Sequence, residues 1–193
     1  WIETLSSEEE LAAALEAAAG TGLPVVATLS FDTNGRTMMG LTPARLAALM
    51  HGSPHRPAAF GGNCGAGAPD LLIGLLSMRP VLAEGDVIVA KANCGIPQWV
   101  DGEVRYSGTE DLMAAYAVLA RDLGARVIGG CCGTKPAHVA AMRRALETTP
   151  PGPVPSAEAI VAAVGPCTGA TMELLDGPTA PPEPRRPRRR RAG

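Results

Sequence analysis

The sequence predicts an α/β protein whose core is a parallel β-sheet. Four apolar segments of strand length start near residues 24, 58, 86 and 125, so their starts are 34, 28 and 39 residues apart. Each segment is followed by a stretch with helix-forming signals. Such regular alternation predicts parallel strands, because each helix carries the chain back to the same starting end of the sheet.

The individual segments carry the local signals of these elements. The segment 24–31 has almost no polar alternation, as expected for a strand that is buried on both faces. Within 6–10, a Ser is followed three residues later by Glu, which is the spacing of a capping box. Pro43 after Thr42 suits the first position of a helix. Strands are predicted at 1–4 (the end of a strand), 24–31, 58–62, 86–90 and from 125, and helices from 6–10 to about 20 or 22 and over 42–50, 69–78, 109–124 and 136–147.

Four to five strand–helix units leave two architectures open. They are half of an eight-stranded (β/α) barrel, or they form an open, doubly wound sheet. No strand is followed by the phosphate-binding pattern GxGxxG, and the glycine-rich segment 61–65 lacks its spacing. In both architectures, functional residues collect at the carboxyl ends of the strands.

Composition limits the class of protein. A chain of 193 residues is one domain, or one domain with a tail, and its 46% hydrophobic content is enough for a sizeable core. Five cysteines without a CxxC pair argue against a disulfide scaffold and against a zinc ribbon. No apolar run approaches the roughly 20 residues of a membrane span. We expect a reducing, cytoplasmic setting, although the chain starts at Trp1 rather than Met.

Four cysteines follow predicted strands. Cys64 and Cys94 each end a strand, and Cys131 and Cys132 lie in the segment Gly-Gly-Cys-Cys-Gly-Thr after another. Because carboxyl ends of parallel strands share one rim, these thiols should converge. Three thiolates would leave the fourth tetrahedral position of zinc open for a substrate. A vicinal cysteine pair is also compatible with buried packing or a redox disulfide.

Three motifs that follow strands carry a family resemblance. They are Asn63-Cys64, Asn93-x-Gly95-x-Pro97 and Gly129-Gly130-Cys131-Cys132-Gly133-Thr134-x-Pro136-x-His138. The chain, over about residues 1–147, resembles the zinc-dependent homocysteine S-methyltransferases, which include betaine–homocysteine methyltransferase and the homocysteine domain of methionine synthase. The resemblance implies a (β/α)8 TIM barrel, of which residues 1–148 would be the C-terminal half, with about the last four to five βα units.

The resemblance also implies the site residues. Cys64, Cys131 and Cys132 would bind one Zn²⁺ per chain, and the zinc would bind the sulfur of homocysteine. Glu3 would hold the amino group of the substrate, and Asn63 would contact the substrate or support the site. The implied reaction is methyl transfer to homocysteine, giving methionine.

Two features depart from the family pattern. The family domain is about twice as long, so we expect a fragment that is poorly active alone and that pairs with the N-terminal half or with another copy of itself. Cys94 falls at a position that varies in the pattern and is a candidate spare ligand or oxidation site. Asp32, at the end of a strand, and His138, in the helix after the cysteine pair, are further candidates. His51 and His55 fit a solvated loop better than a metal site.

The residues after 148 differ in composition. Residues 149–193 are rich in Pro and end in an arginine run at 185–191, so we predict a mostly disordered tail with a short helix near 157–164. No aromatic residue interrupts the arginine run, which favours a solvated tail over nucleic-acid binding. Cys167 is interpreted as a bystander.

The methyl donor and two alternative functions stay open. Betaine, S-methylmethionine, S-adenosylmethionine, methylfolate and methylcobalamin are all compatible donors. One alternative is a zinc methyltransferase that acts on another thiol or takes its methyl group from a corrinoid protein. The other is a half barrel without catalytic activity that needs a partner chain.

Overall fold

The computed structural model describes residues 1–95 and 97–176. The strands are β1 (Ile2–Leu5), β2 (Val26–Leu29), β3 (Ala59–Cys64), β4 (Ile88–Ala92), β5 (Pro97–Val100), β6 (Glu103–Tyr106) and β7 (Ala125–Gly130). The α-helices are α1 (Glu8–Ala19), α2 (Pro43–Gly52), α3 (Ala68–Met78), α4 (Glu110–Asp122), α5 (Pro136–Thr148) and α6 (Ala157–Val164). Two short 3-10 helices cover Arg79–Val81 and Thr171–Asp176. The predicted alternation of strands and helices is confirmed.

Five strands form one parallel sheet in the order β1-β2-β3-β4-β7. Within this sheet, each strand lies beside the strand that comes before it in the sequence. In a doubly wound sheet, the order of the strands reverses at a switch point. The order is therefore compatible with part of a (β/α)8 barrel. Among the described residues β1 and β7 are the two edges of the sheet, and a closed barrel stays a prediction.

Side-chain caps begin the helices where the sequence predicts them. The Ser7 hydroxyl accepts from the backbone N–H of Glu10 at 3.1 Å at the start of α1. The Thr42 hydroxyl accepts from the N–H of Arg45 at 3.1 Å, directly before Pro43 at the start of α2. Each cap satisfies a backbone donor that has no partner within the helix.

The core packs the sheet against the helices α1–α6 and is built mainly from aliphatic side chains. Its two largest fully buried side chains are Phe60 and Tyr116. The Tyr116 hydroxyl is not left without a partner, because it accepts a hydrogen bond of 3.1 Å from the N–H of Ala92. Gly61 allows β3 to approach β4, since a Cβ there would lie 2.0 Å from the carbonyl oxygen of Val89.

Strands β5 and β6 form an antiparallel hairpin that the sequence analysis missed. Its turn is Asp101-Gly102, and both residues have positive φ (53° and 82°). An Asp-Gly pair with this backbone is typical of the tight turns that join two strands. The hairpin lies between the end of β4 and the start of α4, near the end of the sheet that carries the cysteines.

Residues 149–176 pack on the main body. Helix α6 lies where a short helix is predicted, and its Ile160 is fully buried. The buried carboxylate of Asp70 accepts from the hydroxyl of Thr168 at 2.8 Å and of Thr171 at 2.6 Å, which ties this segment to α3. The arginine run at 185–191 lies outside the described residues. The division of the chain at residue 148 into a barrel half and a tail stays a prediction. No helix among the described residues has the length and apolar content to cross a membrane.

Candidate metal centre

Cys64 ends β3 in an unusual backbone conformation. Its backbone angle φ is 60°, a left-handed value that residues other than glycine rarely adopt. Gly65 follows with φ 76°, so the chain turns sharply as it leaves the sheet. The turn puts the Cys64 side chain at the carboxyl end of the sheet, where α/β proteins place functional residues. A strained residue at this position is a reason to look for a function.

Cys131 and Cys132 lie in the turn between β7 and α5. The N–H of Cys131 donates to the carbonyl of Ala92 at 2.8 Å, and the carbonyl of Cys132 accepts from the N–H of Cys94 at 2.9 Å. Gly133 has φ 76°, and the N–H of Thr134 donates to the carbonyl of Cys131 at 3.1 Å. These backbone contacts fix the turn against the end of β4.

The three thiols converge as the sequence predicts. The Sγ of Cys64 lies 3.3 Å from that of Cys131 and 3.4 Å from that of Cys132. All three Sγ atoms lie within 4.8 Å of one another, and all three cysteines are free. Zn–S bonds of about 2.3 Å in a tetrahedral site place sulfurs about 3.8 Å apart. The donor set and its spacing therefore fit a zinc ion with small outward shifts of the sulfurs.

The thiols influence one another electrostatically. Burial, together with contacts with Cys131 and Cys132, raises the pKa of the Cys64 thiol to about 12. A hydrogen bond from Cys64 lowers the pKa of the Cys132 thiol. Cys132 therefore ionises more readily than Cys64, and the charge of its thiolate disfavours ionisation of Cys64. A divalent cation would compensate that charge, which makes the cluster a good receptor for one.

Asn63 supports the cluster from β3. Its side chain is buried, and its Oδ1 accepts from the Thr4 N–H at 2.9 Å and from the Thr28 hydroxyl at 2.6 Å. Its Nδ2 donates to the Thr4 hydroxyl at 2.8 Å and lies 3.9 Å from the Sγ of Cys131. Asn63 therefore links β1, β2 and β3 to a cysteine of the cluster.

Asn93 is a supporting residue to which the sequence analysis assigned no role. Its Oδ1 accepts from the N–H of Cys132 at 3.1 Å, and its Nδ2 donates to the carbonyl of Gly65 at 2.6 Å. One amide side chain thus joins the turn after β3 to the turn after β7. The signal was present in the sequence, because Asn93 begins the second family motif.

Glu3 lies on β1 and makes an ion pair with Lys91 of β4. The Lys91 ammonium also lies over the ring of Trp1, 5.4 Å from its centroid. The structure thus places Glu3 at the sheet end beside Thr4 and the Asn63 network, but its carboxylate already has a cationic partner. Any other cationic group that bound Glu3 would have to share or displace Lys91.

Cys94 lies at the same rim but is separate from the cluster. Its side chain is fully buried, and its Sγ is 3.5 Å from the Nδ1 of His138. The same Nδ1 accepts from the N–H of Lys135 at 2.9 Å, at the start of α5. Among the described residues, the group of side chains that could hold a metal ion consists of Cys64, Cys131 and Cys132, and Cys94 does not belong to it. His138 therefore caps a helix and packs on Cys94.

The other candidates do not belong to the thiol group. Asp32 is exposed and accepts from the Thr33 hydroxyl at 3.2 Å. His51 pairs with Asp86 at 3.1 Å, just before β4 begins and so at the opposite end of the sheet from the cysteines. His55 is exposed in the same loop. Cys167 packs at the edge of the core, and burial raises the pKa of its thiol to about 11.

Comparison with known proteins shows the family of this chain. The family model for homocysteine S-methyltransferase matches residues 1–146. The chain belongs to the homocysteine S-methyltransferase family. Homocysteine S-methyltransferase 4 of Zea mays is 31% identical over 156 residues, which cover 76% of this chain and 43% of the maize protein.

Solved structures of the homocysteine methyltransferase MmuM from Escherichia coli are similar in fold. The apo form has a TM-score of 0.57 and 24% identity, covering 74% of this chain and 47% of that protein. The metallated form has a TM-score of 0.56 and 25% identity, covering 74% of this chain and 43% of that chain. The chain thus spans less than half the length of these family members.

Proposed function

We propose that the chain takes part in methyl transfer to the thiol of homocysteine, giving methionine, with Zn²⁺ bound by Cys64, Cys131 and Cys132. The observation that carries this proposal is the convergence of three free thiols, from two separate turns, within 4.8 Å. Family membership supports the substrate, and the existence of a metallated form of the E. coli relative supports a metal.

The proposed chemistry divides between the metal and the chain. When bound, zinc keeps a substrate thiol ionised near neutral pH, which makes it a nucleophile without a protein base. The substrate sulfur attacks the methyl carbon of the donor, the bond from that carbon to the donor breaks, and its electron pair leaves with the donor. The thiol proton passes to solvent. Positioning of the two reactants then supplies most of the remaining rate enhancement.

The residues of this chain have distinct parts in the proposal. Cys64, Cys131 and Cys132 would hold the metal, which would bind the substrate sulfur and favour its ionised form. Asn63, which is fixed by its hydrogen bonds to β1 and β2, holds the side chain of Cys131 in place. Glu3 binds the substrate ammonium once Lys91 moves aside. The donor is a small molecule with an activated methyl group, or a methylated corrinoid.

We further propose that full turnover needs strands beyond those described. In a closed barrel, the free edges of β1 and β7 would each pair with a further strand. Those strands would also cover the side of the site that faces them. An N-terminal half of the barrel, or a second copy of this chain, could supply that pairing. The described residues would then form the metal-binding half of a larger active site in a reducing cytoplasm.

The experiment is zinc content per purified chain for the parent protein, Cys64→Ser and Cys94→Ser. Cys94 is a matched control because it is a free cysteine at a neighbouring strand end whose side chain lies outside the thiol cluster. We expect about one zinc per chain, lost in Cys64→Ser and kept in Cys94→Ser. No zinc in the parent chain, or equal loss in both variants, would contradict the proposed site. Donor assays with homocysteine fixed then test the reaction.

A further inference from the structure

A groove between helices is distinct from the thiol cluster. It has a volume of about 600 Å³ and is lined by the start of α2, the end of α3 and the 3-10 helices Arg79–Val81 and Thr171–Asp176. Ligand sites in proteins commonly have volumes of roughly 300–1,000 Å³, so the groove is large enough for a small molecule. Among the described residues that line it, none is a cysteine.

Three elements give this groove apolar walls. Leu76 belongs to α3, Val81 ends the 3-10 helix that follows α3, and Leu175 belongs to the 3-10 helix Thr171–Asp176. Val81 is 40% exposed and Leu175 is 37% exposed, although both side chains are large and aliphatic. A ligand that removed these side chains from water would gain binding free energy from the hydrophobic effect. The walls therefore suit an apolar group.

The wall at the start of α2 carries positive charge. Arg36 and Arg45 both line the groove, and none of the described lining residues is acidic. Glu8 offsets part of the charge of Arg45, since it accepts from the Arg45 Nε at 2.8 Å and Nη2 at 3.0 Å. Thr42 also lines the groove and caps α2, so the positive end of the helix dipole lies at the same wall. This wall therefore suits an anionic group.

One wall of the groove comes from residues outside the family match. The family model matches residues 1–146, whereas Leu174 and Leu175 lie in the 3-10 helix that begins at Thr171. The hydroxyl of Thr171 donates to the buried carboxylate of Asp70 at 2.6 Å, which fixes the start of this helix. Gly35 leaves room for the helix, because a Cβ there would lie 2.6 Å from the Cδ1 of Leu174. The complete groove is therefore not a feature of the matched family region alone.

We propose that the groove binds an amphipathic carboxylate, a small molecule with an anionic head and an apolar body. The head lies at Arg36 and the start of α2, and the body packs against Val81 and Leu175. Such a ligand would join α2, α3 and the C-terminal 3-10 helix, so it should stabilise the folded chain as its concentration rises. The proposal does not rest on the proposed function, because the groove and the thiol cluster share no lining residue among those described.

The test measures binding of octanoate to the full, metal-free chain by titration calorimetry and by the rise in unfolding temperature. Octan-1-ol is the neutral comparison, because it has the same chain length and no charge. Arg36→Met removes a charge from the positive wall, and Leu175→Asp places a charge on an apolar wall. Arg144→Met is the matched control, because Arg144 is an exposed arginine of α5 that does not line the groove. Circular dichroism without octanoate verifies that each variant is folded.

We expect octanoate to bind more tightly than octan-1-ol and to bind Arg36→Met about 3- to 10-fold more weakly, as for a charged contact near the surface. Leu175→Asp should weaken binding by at least about 10-fold, and Arg144→Met should match the parent chain. No octanoate binding, equal affinity for octan-1-ol, or an equal loss in Arg144→Met would overturn the proposal. So would octanoate binding that is lost as dimers form at higher protein concentration, because a second copy would then occupy the groove.

Discussion

Replacing Asn63 by alanine should cost the protein about 2–6 kcal/mol of stability. The Asn63 amide makes three hydrogen bonds with Thr4 and Thr28. Thr28 is fully buried, so its hydroxyl would lose its partner without gaining water, at a cost of about 1–3 kcal/mol. Thr4 is exposed and can turn to solvent, so its contacts are worth about 0.5–1.5 kcal/mol each.

The assay is urea unfolding of the metal-free chain, followed by fluorescence or circular dichroism. Thr28→Val serves as the matched variant, because it removes the hydroxyl that Asn63→Ala would leave unpaired. In the double mutant the penalty for that hydroxyl disappears, so the two single effects should exceed the double effect by about 1–2 kcal/mol. A loss below about 1 kcal/mol in Asn63→Ala, or strictly additive effects, would refute the reasoning.

Three further predictions concern pH and charge. Zinc affinity should rise with pH between about 6 and 8, because each thiol releases a proton on binding; chelator competition that gives a flat profile would argue against thiolate ligation. Burial raises the pKa of Asp86, but hydrogen bonds from His51 and a backbone N–H and the charge of Arg56 outweigh it, so the net pKa lies below 3.8. Because the pKa is lowered on folding, the ionised Asp86 carboxylate stabilises the fold at pH values above its unfolded-state pKa, and this stabilisation is lost as the pH falls through the folded-state pKa. Asp86→Asn should therefore destabilise the protein at pH 7. The difference in stability from the parent chain should disappear below about pH 4 in acid unfolding. Lys91→Met should strengthen homocysteine binding severalfold, because it frees the Glu3 carboxylate. The affinity is measured by adding homocysteine to the cobalt-loaded chain; weaker binding would show instead that Lys91 itself contacts the substrate.

The parallel sheet and the thiol cluster were predictable for a common physical reason. Apolar runs and helix caps are local signals, and their alternation requires parallel strands. Once the strands are parallel, residues that follow them must lie at one rim, whatever their separation in sequence. Cys64 and Cys131 are 67 residues apart, and their sulfurs nevertheless lie 3.3 Å apart. The glycine-flanked cysteine pair then indicates which rim residues form the site.

The features that the sequence did not reveal depend on which way a side chain faces. Cys94 lies at the correct rim, but its neighbour Asn93 points to the cysteine turns while Cys94 packs on His138. A shift of one residue at a strand end reverses the face, and no local signal defines that register. The contact of Tyr106 with Gly133 was missed because it joins residues 27 positions apart in the sequence. The Asp-Gly turn of its hairpin was a recognisable signal.

Metal binding and turnover should therefore be separable in this chain. The contacts that join the two cysteine-bearing turns include the bridge by Asn93 between the turns at Gly65 and Cys132. Such a site needs little rearrangement to receive a metal, because the backbone has already been ordered on folding. The proposed substrate contact is different, since Glu3 lies on the edge strand β1 and is held by Lys91. Pairing of that edge would complete the substrate side of the site without altering the three sulfurs.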